Sequence, residues 1–449
     1  MNVTEVVKAA GIVGAGGAGF PTHVKLNAKA DWFIVNAAEC EPLIETDKYL
    51  CRTYPEKIVA AAAVCAAHVG ASHTVIALKG KYKPEIAALK EAIAKAEANI
   101  EIFEMPTFYP AGDEQTMVQM VTGKSVPERG LPLDVGAVVD NVGTMCNLYD
   151  ALQGENVTWK YLSVVGEVRE PILLHVPIGT KLVECVERAK PNRGNYAIIV
   201  GGPMMGKVLT DQAAIDSAVV TKTTGNIIVL PREHYLMKRA TLPIETMKHQ
   251  ARAACIQCKM CTDLCPRYLI GHNIRPNLVM RNVWRENEIE SNEEFKACFG
   301  DAVNCCDCGV CEMFACPMGL SPRKINSYMK GKLRERGIQV ERKMDPEAHE
   351  DINLHRTPTG RLVSRLGLSE YYPLHAHECF EYQPREVYIP FQQHIGKPAE
   401  PAKRAGDEVR RGELLAAAAE GLSANIHASM DGVVVSIDSK GAVIRGKEE

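Results

Sequence analysis

The segment CIQCKMCTDLCP, residues 255–266, is the most informative part of the sequence. Its cysteines are spaced by two, two and three intervening residues, and proline follows the last of them. A second segment, CCDCGVCEMFACP at residues 305–317, has the same spacings except for one additional residue before its last cysteine. The cysteines that share this pattern are Cys255, Cys258, Cys261, Cys265, Cys305, Cys308, Cys311 and Cys316.

This spacing is typical of proteins that bind two iron–sulfur clusters. Three thiolates in such a row bind one face of a cubane, and the fourth reaches across to a second cluster. Crossed ligation assigns Cys255, Cys258, Cys261 and Cys316 to one [4Fe-4S] cluster, and Cys305, Cys308, Cys311 and Cys265 to the other. The alternative is a pair of zinc sites, but zinc usually takes two close pairs of ligands. Cys298 and Cys306 lie nearby, and for Cys306 a packing role is favoured over a swapped ligand.

Composition limits the other possibilities. The chain has 449 residues, and at about 150 residues per domain this suggests about three domains. Hydrophobic residues make up 46%, which excludes a mainly disordered chain, and a net charge of -3 gives no basic field for nucleic acid or an anionic membrane. We expect no transmembrane segment, because no apolar run reaches a spanning length. No secretory signal is visible and the cysteines are clustered, so we expect a reducing, cytoplasmic location.

The first 150 residues or so alternate between strand and helix patterns. Strands are predicted at 32–36, 74–78 and 101–104, and helices at 55–69, where proline occupies the first turn, and at 84–98. Such alternation predicts a parallel sheet that is covered on both faces.

Three segments interrupt this pattern. GAGGAGFPTHVK, residues 14–25, is dense enough in glycine to bring backbone N–H groups close to an anion, although a surface turn is the simpler interpretation. NAAECEP, residues 36–42, follows a strand end, where α/β sheets bind ligands, but it could also be a plain polar loop. YPAGDEQ, residues 109–115, could equally be a capped helix start.

Together with NVGT at residues 141–144, these segments resemble, in the same order, motifs of the flavin-bearing, NADH-oxidising subunit of respiratory complex I. The chain is more similar to the RnfC-type electron-transport subunits, and more similar still to the cobalamin reductases of propanediol-utilisation microcompartments. Those reductases share the longer spacing before Cys316. The resemblance implies non-covalently bound FMN, with NADH as the electron donor. At Ala38 the chain departs from the complex I relatives, which have an acidic residue there.

The resemblance also implies a set of binding residues. Those expected at the phosphate and ribityl chain of FMN are Gly14, Gly16, Gly17, Gly19 and Lys25. Those expected at the isoalloxazine and the NADH side are Asn36, Glu39, Asp113, Glu114, Asn141 and Thr144.

The middle of the chain predicts a small β-grasp fold. A strand at 160–168, a partner at 171–176, a helix at 178–189 and a strand at 197–200 give the order ββαβ. With GGPMMG at residues 201–206, this segment resembles the soluble-ligand-binding β-grasp (SLBB) domain of the same family, which implies a possible contact with cobalamin. Met204 and Met205 are interpreted as core residues rather than ligands.

The remainder is divided between a charged segment and a β domain. Residues 337–383 are predicted to be a linker or wrapping arm; its histidines, His349, His355, His375 and His377, are interpreted as chance, with a cobalt-facing imidazole as the alternative. Residues 384–449 resemble the barrel-sandwich hybrid domain of RnfC proteins. The predicted fold is therefore α/β multidomain: an FMN and NADH domain (1–153), the β-grasp domain (154–235), an α-helical dicluster ferredoxin-like domain (236–336), the arm and the all-β domain.

The parts together predict an oxidoreductase. NADH gives two electrons as hydride and a cluster takes one, so a flavin between them is chemically required. The resemblance implies that the acceptor is cobalamin, in support of a B12-dependent diol dehydratase, with an adenosyltransferase and microcompartment shell proteins as partners. One alternative is a diaphorase subunit that serves a protein such as a methylenetetrahydrofolate reductase. The other is a ferredoxin-like scaffold whose flavin site is inactive.

Overall fold

The computed structural model describes residues 2–447, and its first unit is a four-stranded parallel sheet in the order β3–β2–β1–β5. The strands of this region are β1 (Trp32–Asn36), β2 (His73–Lys79), β3 (Glu101–Met105), β4 (Phe108–Tyr109) and β5 (Ala137–Asn141). The helices are α1 (Val3–Ala9), α2 (Thr22–Leu26), α3 (Thr46–Thr53), α4 (Pro55–Val69), α5 (Lys83–Lys95), α6 (Glu114–Thr122) and α7 (Val142–Leu152). The predicted strands and helices are therefore present, with shifts of a few residues at their ends.

The sheet is covered on both faces, as predicted. Phe33 and Val35 pack on one side with Ile58 of α4, whereas Ile34 packs on the other side with Met117 of α6. Neighbouring side chains of a strand point to opposite faces of the sheet. A strand in which every residue is apolar is therefore buried only when helices pack on both faces. The helices leave the carboxyl ends of the strands open, where the last residues of β1 and β5 are register partners.

The second unit, which we call the β-grasp unit after its predicted fold, is a mixed six-stranded sheet, and its outer strand is the later segment β12 (Cys379–Glu381) beside β7. Its elements are β6 (Trp159–Gly166), β7 (Ile172–Pro177), α8 (Leu182–Arg188), β8 (Tyr196–Val200), β9 (Lys207–Leu209), α9 (Gln212–Ser217) and β10 (Asn226–Pro231). β10 runs parallel to β6 at the centre, while β6 and β7 form the predicted hairpin. Helix α8 begins later than expected because a turn precedes it. In this turn Gly179 has a φ of 98°, and the Thr180 hydroxyl donates to the Pro177 carbonyl.

The cysteine-rich unit is helical. It contains α10 (Tyr235–Ala240), α11 (Ile244–Ala254), α12 (Met260–Asp263), α13 (Pro266–Leu269), α14 (Pro276–Asn282), α15 (Asn292–Phe299) and α16 (Pro322–Glu335). Tight turns at Val283–Glu288 and Gly300–Asn304 join several of these helices. Phe295, Phe299 and Met329 form the centre of its core.

The segment that was expected to be irregular, residues 337–383, forms short regular elements. β11 (Thr357–Pro358) pairs with β4, α17 (Thr359–Arg365) follows, and β12 (Cys379–Glu381) extends the second sheet beside β7. The physical reason is apolar burial, since Leu362, Val363 and Leu366 are inaccessible to solvent or nearly so. The arm therefore contributes a strand to another unit.

The last unit is built from strands. They are β13 (Glu386–Pro390), β14 (Glu400–Pro401), β15 (Glu408–Val409), β16 (Leu414–Ala417), β17 (Ile426–His427), β18 (Gly432–Ile437) and β19 (Gly441–Arg445). They form a sheet of four, β13–β19–β18–β15, and a sheet of three, β14–β16–β17. Among the described residues, 2–447, none of the helices has the length and apolar character needed to span a bilayer.

Candidate functional site

A cavity of about 1460 Å³ opens at the carboxyl ends of β1 and β5, between the first unit, the β-grasp unit and the cysteine-rich unit. The predicted residues that line it are Gly16, Gly17, Asn36, Glu39, Asp113, Glu114 and Asn141. The other predicted residues, Gly14, Gly19, Lys25 and Thr144, do not line it. The structure therefore brings all three polar segments of the first unit to one place.

The glycine-rich loop is shaped for close approach. Gly14 N–H donates to the Phe20 carbonyl at 2.9 Å, and Ala15 N–H donates to Thr144 Oγ1 at 3.0 Å. A Cβ atom on Gly16 would lie 3.2 Å from Asn141 Cγ, whereas Gly17, at φ 130°, has open space around that position. This concave backbone fits the phosphate end of a flavin nucleotide, because side chains would fill the space.

Lys25 lies beneath the loop. Its ammonium group donates to Glu114 Oε1 at 2.9 Å and to the Val139 carbonyl at 2.8 Å, and it lies 3.9 Å from Asp140 Oδ1. Burial nevertheless raises the pKa of Asp140 to about 6. Lys25 neutralises these carboxylates, and its predicted contact with a phosphate stays a prediction.

Another cation, Lys160, lies closer to the loop. It comes from β6 of the β-grasp unit, lines the cavity and donates to the Ala15 carbonyl at 3.2 Å. Burial lowers the pKa of its ammonium group to about 8. Lys160 is the better placed cation for an anionic group in the loop. Sequence analysis missed it because no local pattern marks a single lysine in a strand of a different unit.

Glu39 is a buried carboxyl group at the start of α3. It accepts from the backbone N–H groups of Asp47 at 2.9 Å and Lys48 at 3.2 Å. Burial raises its pKa to about 8, so it can hold a proton at neutral pH beside the cavity. Asp47 in turn accepts from Asn141 Nδ2 at 2.7 Å, so a chain of hydrogen bonds connects Glu39 through Asp47 to Asn141.

Asn36 has a positioning role. Its Nδ2 donates to the Gly112 carbonyl at 2.9 Å, and its Oδ1 accepts from Ala38 N–H at 3.1 Å. Both ends of the amide are therefore used to hold the 36–42 and 109–115 segments together at the edge of the sheet.

Asp113 joins the flavin side of the cavity to the cysteine-rich unit. It forms a two-point ion pair with Arg267, at 2.5 and 2.8 Å, and accepts from Thr116 N–H as the cap of α6. Arg267 lowers the pKa of Asp113 despite its burial. Tyr109 donates to the Cys308 carbonyl at 2.7 Å, and Cys306 and Cys308 line the same cavity. The predicted flavin site and the second cysteine row therefore border the same cavity.

The two cysteine rows have the same backbone path. Gln257 and Lys259 have φ of 55° and 69°, and the equivalent residues Asp307 and Gly309 have φ of 58° and 80°. Left-handed residues before and after the second cysteine turn each loop back on itself. Backbone N–H groups approach the sulfurs, as between Asp307 N and Cys305 Sγ at 3.4 Å.

The thiols form two sets. Burial, and after it the neighbouring thiols of Cys316, Cys255 and Cys258, raise the pKa of Cys261 to about 12. Cys306 and Cys305 are the thiol neighbours of Cys265, and Cys265 is in turn a neighbour of Cys308 and of Cys311. We call Cys255, Cys258, Cys261 and Cys316 the outer set, and Cys265, Cys305, Cys308 and Cys311 the inner set. These sets are the ones that crossed ligation predicts, and the ligation itself stays a prediction.

The chemistry of these donors fits iron–sulfur clusters. Burial raises the pKa of the Cys311 thiol well above its usual value, so a cationic centre is needed to keep thiolates there. Cys258 of the outer set is exposed, whereas Cys308 and Cys311 of the inner set are buried. The inner set therefore reaches the cavity through Cys308, and the outer set reaches solvent through Cys258.

The additional residue before Cys316 is absorbed by a local change of helix type. Residues Val310–Ala315 form a π-helical turn, where the first row has the short α-helix α12 in the same position. A π turn accommodates one more residue per turn than an α turn, and such turns occur often at functional sites. The final cysteine of the second row can therefore still reach the outer set.

The β-grasp unit is attached through Glu41. This carboxylate accepts from Met204 N–H at 2.7 Å and from Met205 N–H at 3.1 Å, in the GGPMMG loop. Arg323 of the cysteine-rich unit donates to the Met204 carbonyl at 2.6 Å. Met204 is buried as predicted, but Met205 is 56% exposed and lines the cavity, so the interpretation of Met205 as a core residue was wrong.

The histidines of the arm lie away from the cavity wall. His375 Nδ1 is 2.7 Å from Glu45 Oε1, His355 pairs with Asp351, and the His349 ring packs at a tilt against Tyr268. The interpretation that they do not form a metal site stays a prediction.

Known proteins are similar to this chain in each of its parts. Residues 7–150 match the Nuo51 FMN-binding domain, residues 254–321 the 4Fe-4S dicluster domain, and residues 378–448 the RnfC barrel sandwich hybrid domain. These matches confirm the predicted α/β multidomain fold class, and they favour FMN and two [4Fe-4S] clusters over the zinc alternative.

Two curated relatives match along the whole chain. The proteins called cobalamin reductase PduS in Citrobacter freundii and in Salmonella typhimurium are each 40% identical over 99% of this chain and 97% of their own length. A component of the Na(+)-translocating ferredoxin:NAD(+) oxidoreductase complex of Acetobacterium woodii is 32% identical over 65% of this chain and 62% of its own length.

Proposed function

Since the chain belongs to the family of the cobalamin reductase PduS, we propose that it is an oxidoreductase that takes electrons from NADH and delivers them singly to cobalamin. Bound FMN and clusters supply the chemistry that divides a two-electron hydride into single electrons. The balanced reaction is NADH with two cob(III)alamin giving NAD⁺, H⁺ and two cob(II)alamin. Further reduction to cob(I)alamin would require one more electron for each cobalt.

The shared cavity wall is the observation that supports this proposal. The glycine loop and Glu39 form one side of the cavity, and Cys308 of the inner set forms another. The Asp113–Arg267 ion pair and the Tyr109–Cys308 hydrogen bond fix the two sides relative to each other. A flavin in the loop would therefore lie next to the inner set without any intervening unit.

The chain's own residues would have distinct roles in this reaction. The loop around Gly16 and Gly17, with Lys160, would bind the nucleotide end of the flavin. Glu39 would hold a proton near the reacting ring, because burial raises its pKa to about 8. The thiols of both sets would ligate the clusters, which can each hold one of the two electrons.

A protein acceptor is the second candidate. Cys258 of the outer set is exposed, and the exposed apolar side chains Ile256 and Met260 flank it in the sequence. Such a surface suits contact with another electron carrier, as in a diaphorase subunit. A place inside or beside a microcompartment, with adenosyltransferase and shell proteins as partners, stays a prediction.

Anaerobic stopped-flow spectroscopy of the loaded protein tests the proposal. We expect NADH to bleach the flavin absorbance and, with added cob(III)alamin, to produce two cob(II)alamin per NADH without any other protein. Cys308→Ala is the matched variant, because losing an inner ligand should slow cobalamin reduction while NADH still bleaches the flavin. Bleaching without any cobalamin reduction would favour the protein acceptor, and no bleaching would leave only the scaffold hypothesis.

A further inference from the structure

A cluster of aromatic rings on the β6–β7 hairpin lines the cavity but has no role in the reaction described above. Its members are Trp159, Tyr161 and His175. The imidazole of His175 stacks on Tyr161 with centroids 4.0 Å apart and planes 8° from parallel, and Trp159 lies 4.9 Å away on centroids. We call these three residues the imidazole platform.

A carboxylate fixes the protonation of this imidazole. Tyr161, His175 and Glu381 are register partners on the adjacent strands β6, β7 and β12. His175 Nδ1 lies 3.0 Å from Glu381 Oε1. A carboxylate accepts hydrogen bonds, so Nδ1 of the neutral ring holds the proton and Nε2 keeps its lone pair. Within residues 2–447 only Nδ1 of this ring has a hydrogen-bond partner.

This arrangement is typical of histidines that bind metals. A metal-bound imidazole usually donates its second N–H to a carboxylate, which fixes the ring and makes the ligating nitrogen more basic. The stacking on Tyr161 restricts the ring further. The cavity wall therefore already carries a candidate metal ligand, His175, and the carboxylate that orients it, Glu381.

The platform offers a single imidazole, which favours a metal that is already bound in a macrocycle over a free metal ion. A free ion needs several protein ligands. A cobalt already held in the plane of a macrocycle needs only an axial one. The cavity is larger than the ~1,000 Å³ upper range of sites for one small molecule, so it has room for a second occupant beside a flavin.

We propose that Nε2 of His175 is an axial ligand for the cobalt of a corrinoid that binds in this cavity. The inference rests on the proposed function, because it places the acceptor of that reaction. Arg411, whose guanidinium carbon lies 5.0 Å from the Trp159 ring centre, and Lys57 also line the cavity and can donate to amide carbonyls at the rim of a corrin. The inner-set residue Cys308 borders the same cavity.

Electron paramagnetic resonance of cob(II)inamide with the oxidised holoprotein tests the site. Cobinamide lacks the nucleotide base, so any axial nitrogen on its cobalt comes from the protein. We expect nitrogen splitting that changes when the histidines are labelled with ¹⁵N and that disappears in His175→Gln. Glu381→Gln should weaken binding about tenfold to a hundredfold, because it removes the carboxylate behind the ring.

His355→Gln is the matched control, because that ring also pairs with a carboxylate, Asp351 at 3.0 Å, but lies outside the cavity lining. It should leave the splitting unchanged. Binding without nitrogen splitting, or splitting that survives in His175→Gln, would overturn the inference and leave the proposed function intact. If the holoprotein neither binds cobinamide nor reduces cobalamin, both proposals fail. Aqueous Co²⁺ is the second probe, and its binding at His175 in place of cobinamide would identify a free-ion site instead.

Discussion

At the scale of single residues, the cavity is held together by side chains that are distant in the sequence. Arg267 reaches Asp113, and Lys160 reaches the Ala15 carbonyl. The motif residues Gly16, Asn36 and Glu39 could be predicted because each lies in a segment whose pattern is local. Lys160 and Arg267 could not, since a single cation in a strand or after a cysteine has no distinguishing neighbours.

The crossed assignment of the cysteines gives a prediction at the same scale. Cys265→Ala removes an inner ligand, so iron should fall from about eight to about four atoms per polypeptide as one cluster is lost. Cys306→Ala should retain about eight, because the spacing of the two rows leaves Cys306 outside the eight predicted ligands. Iron and sulfide analysis after anaerobic purification measures both. A loss of iron in Cys306→Ala alone would show instead that Cys306 is the swapped ligand.

At the scale of elements, prediction succeeded where the signals were local. Helix α4 begins with Pro55 and ends before Gly70, whose φ is 75°, and both ends were readable from the sequence. The strand β12 was missed for the opposite reason. It has only three residues, and it exists because it pairs with β7, about 200 residues earlier in the chain.

The position of the GGPMMG loop, residues 201–206, depends on the absence of a side chain at Gly202. A Cβ atom on Gly202 would lie 2.1 Å from Glu41 Oε2, so alanine there displaces the carboxylate that accepts from Met204 N–H and Met205 N–H. Gly202→Ala should destabilise the protein by about 1–3 kcal/mol and lower its melting temperature in differential scanning fluorimetry.

Gly194→Ala is the control for this substitution. Gly194 lies in a loop of the same unit, and a Cβ atom there would meet nothing within 4 Å. Its melting temperature should stay at the wild-type value. Equal melting temperatures for the two variants would mean that Glu41 does not hold the loop.

At the scale of the whole molecule, the three matched domains occur in the predicted order, but the placement of the units could not be predicted. Each unit has its own pattern of strands, helices or cysteines. The contacts between units are single polar groups, and Lys222 is the clearest example. This buried lysine of the β-grasp unit donates to the carbonyls of Gly11 in the first unit and of Asn425 in the last, each at 2.6 Å.

Lys222 makes the stability of this three-unit junction depend on pH. Burial lowers its pKa to about 7 from an ordinary value of 10.5, so between these values the unfolded chain binds more protons than the folded one, and stability rises with pH. His394 and His427 lie near it, and burial lowers the pKa of both, so neither titrates in this window. Urea unfolding at pH 7, 8 and 9 should show the wild type gaining about 2 kcal/mol relative to Lys222→Met across the series. The exposed Lys207→Met variant should keep the wild-type slope, and parallel curves for wild type and Lys222→Met would contradict the prediction.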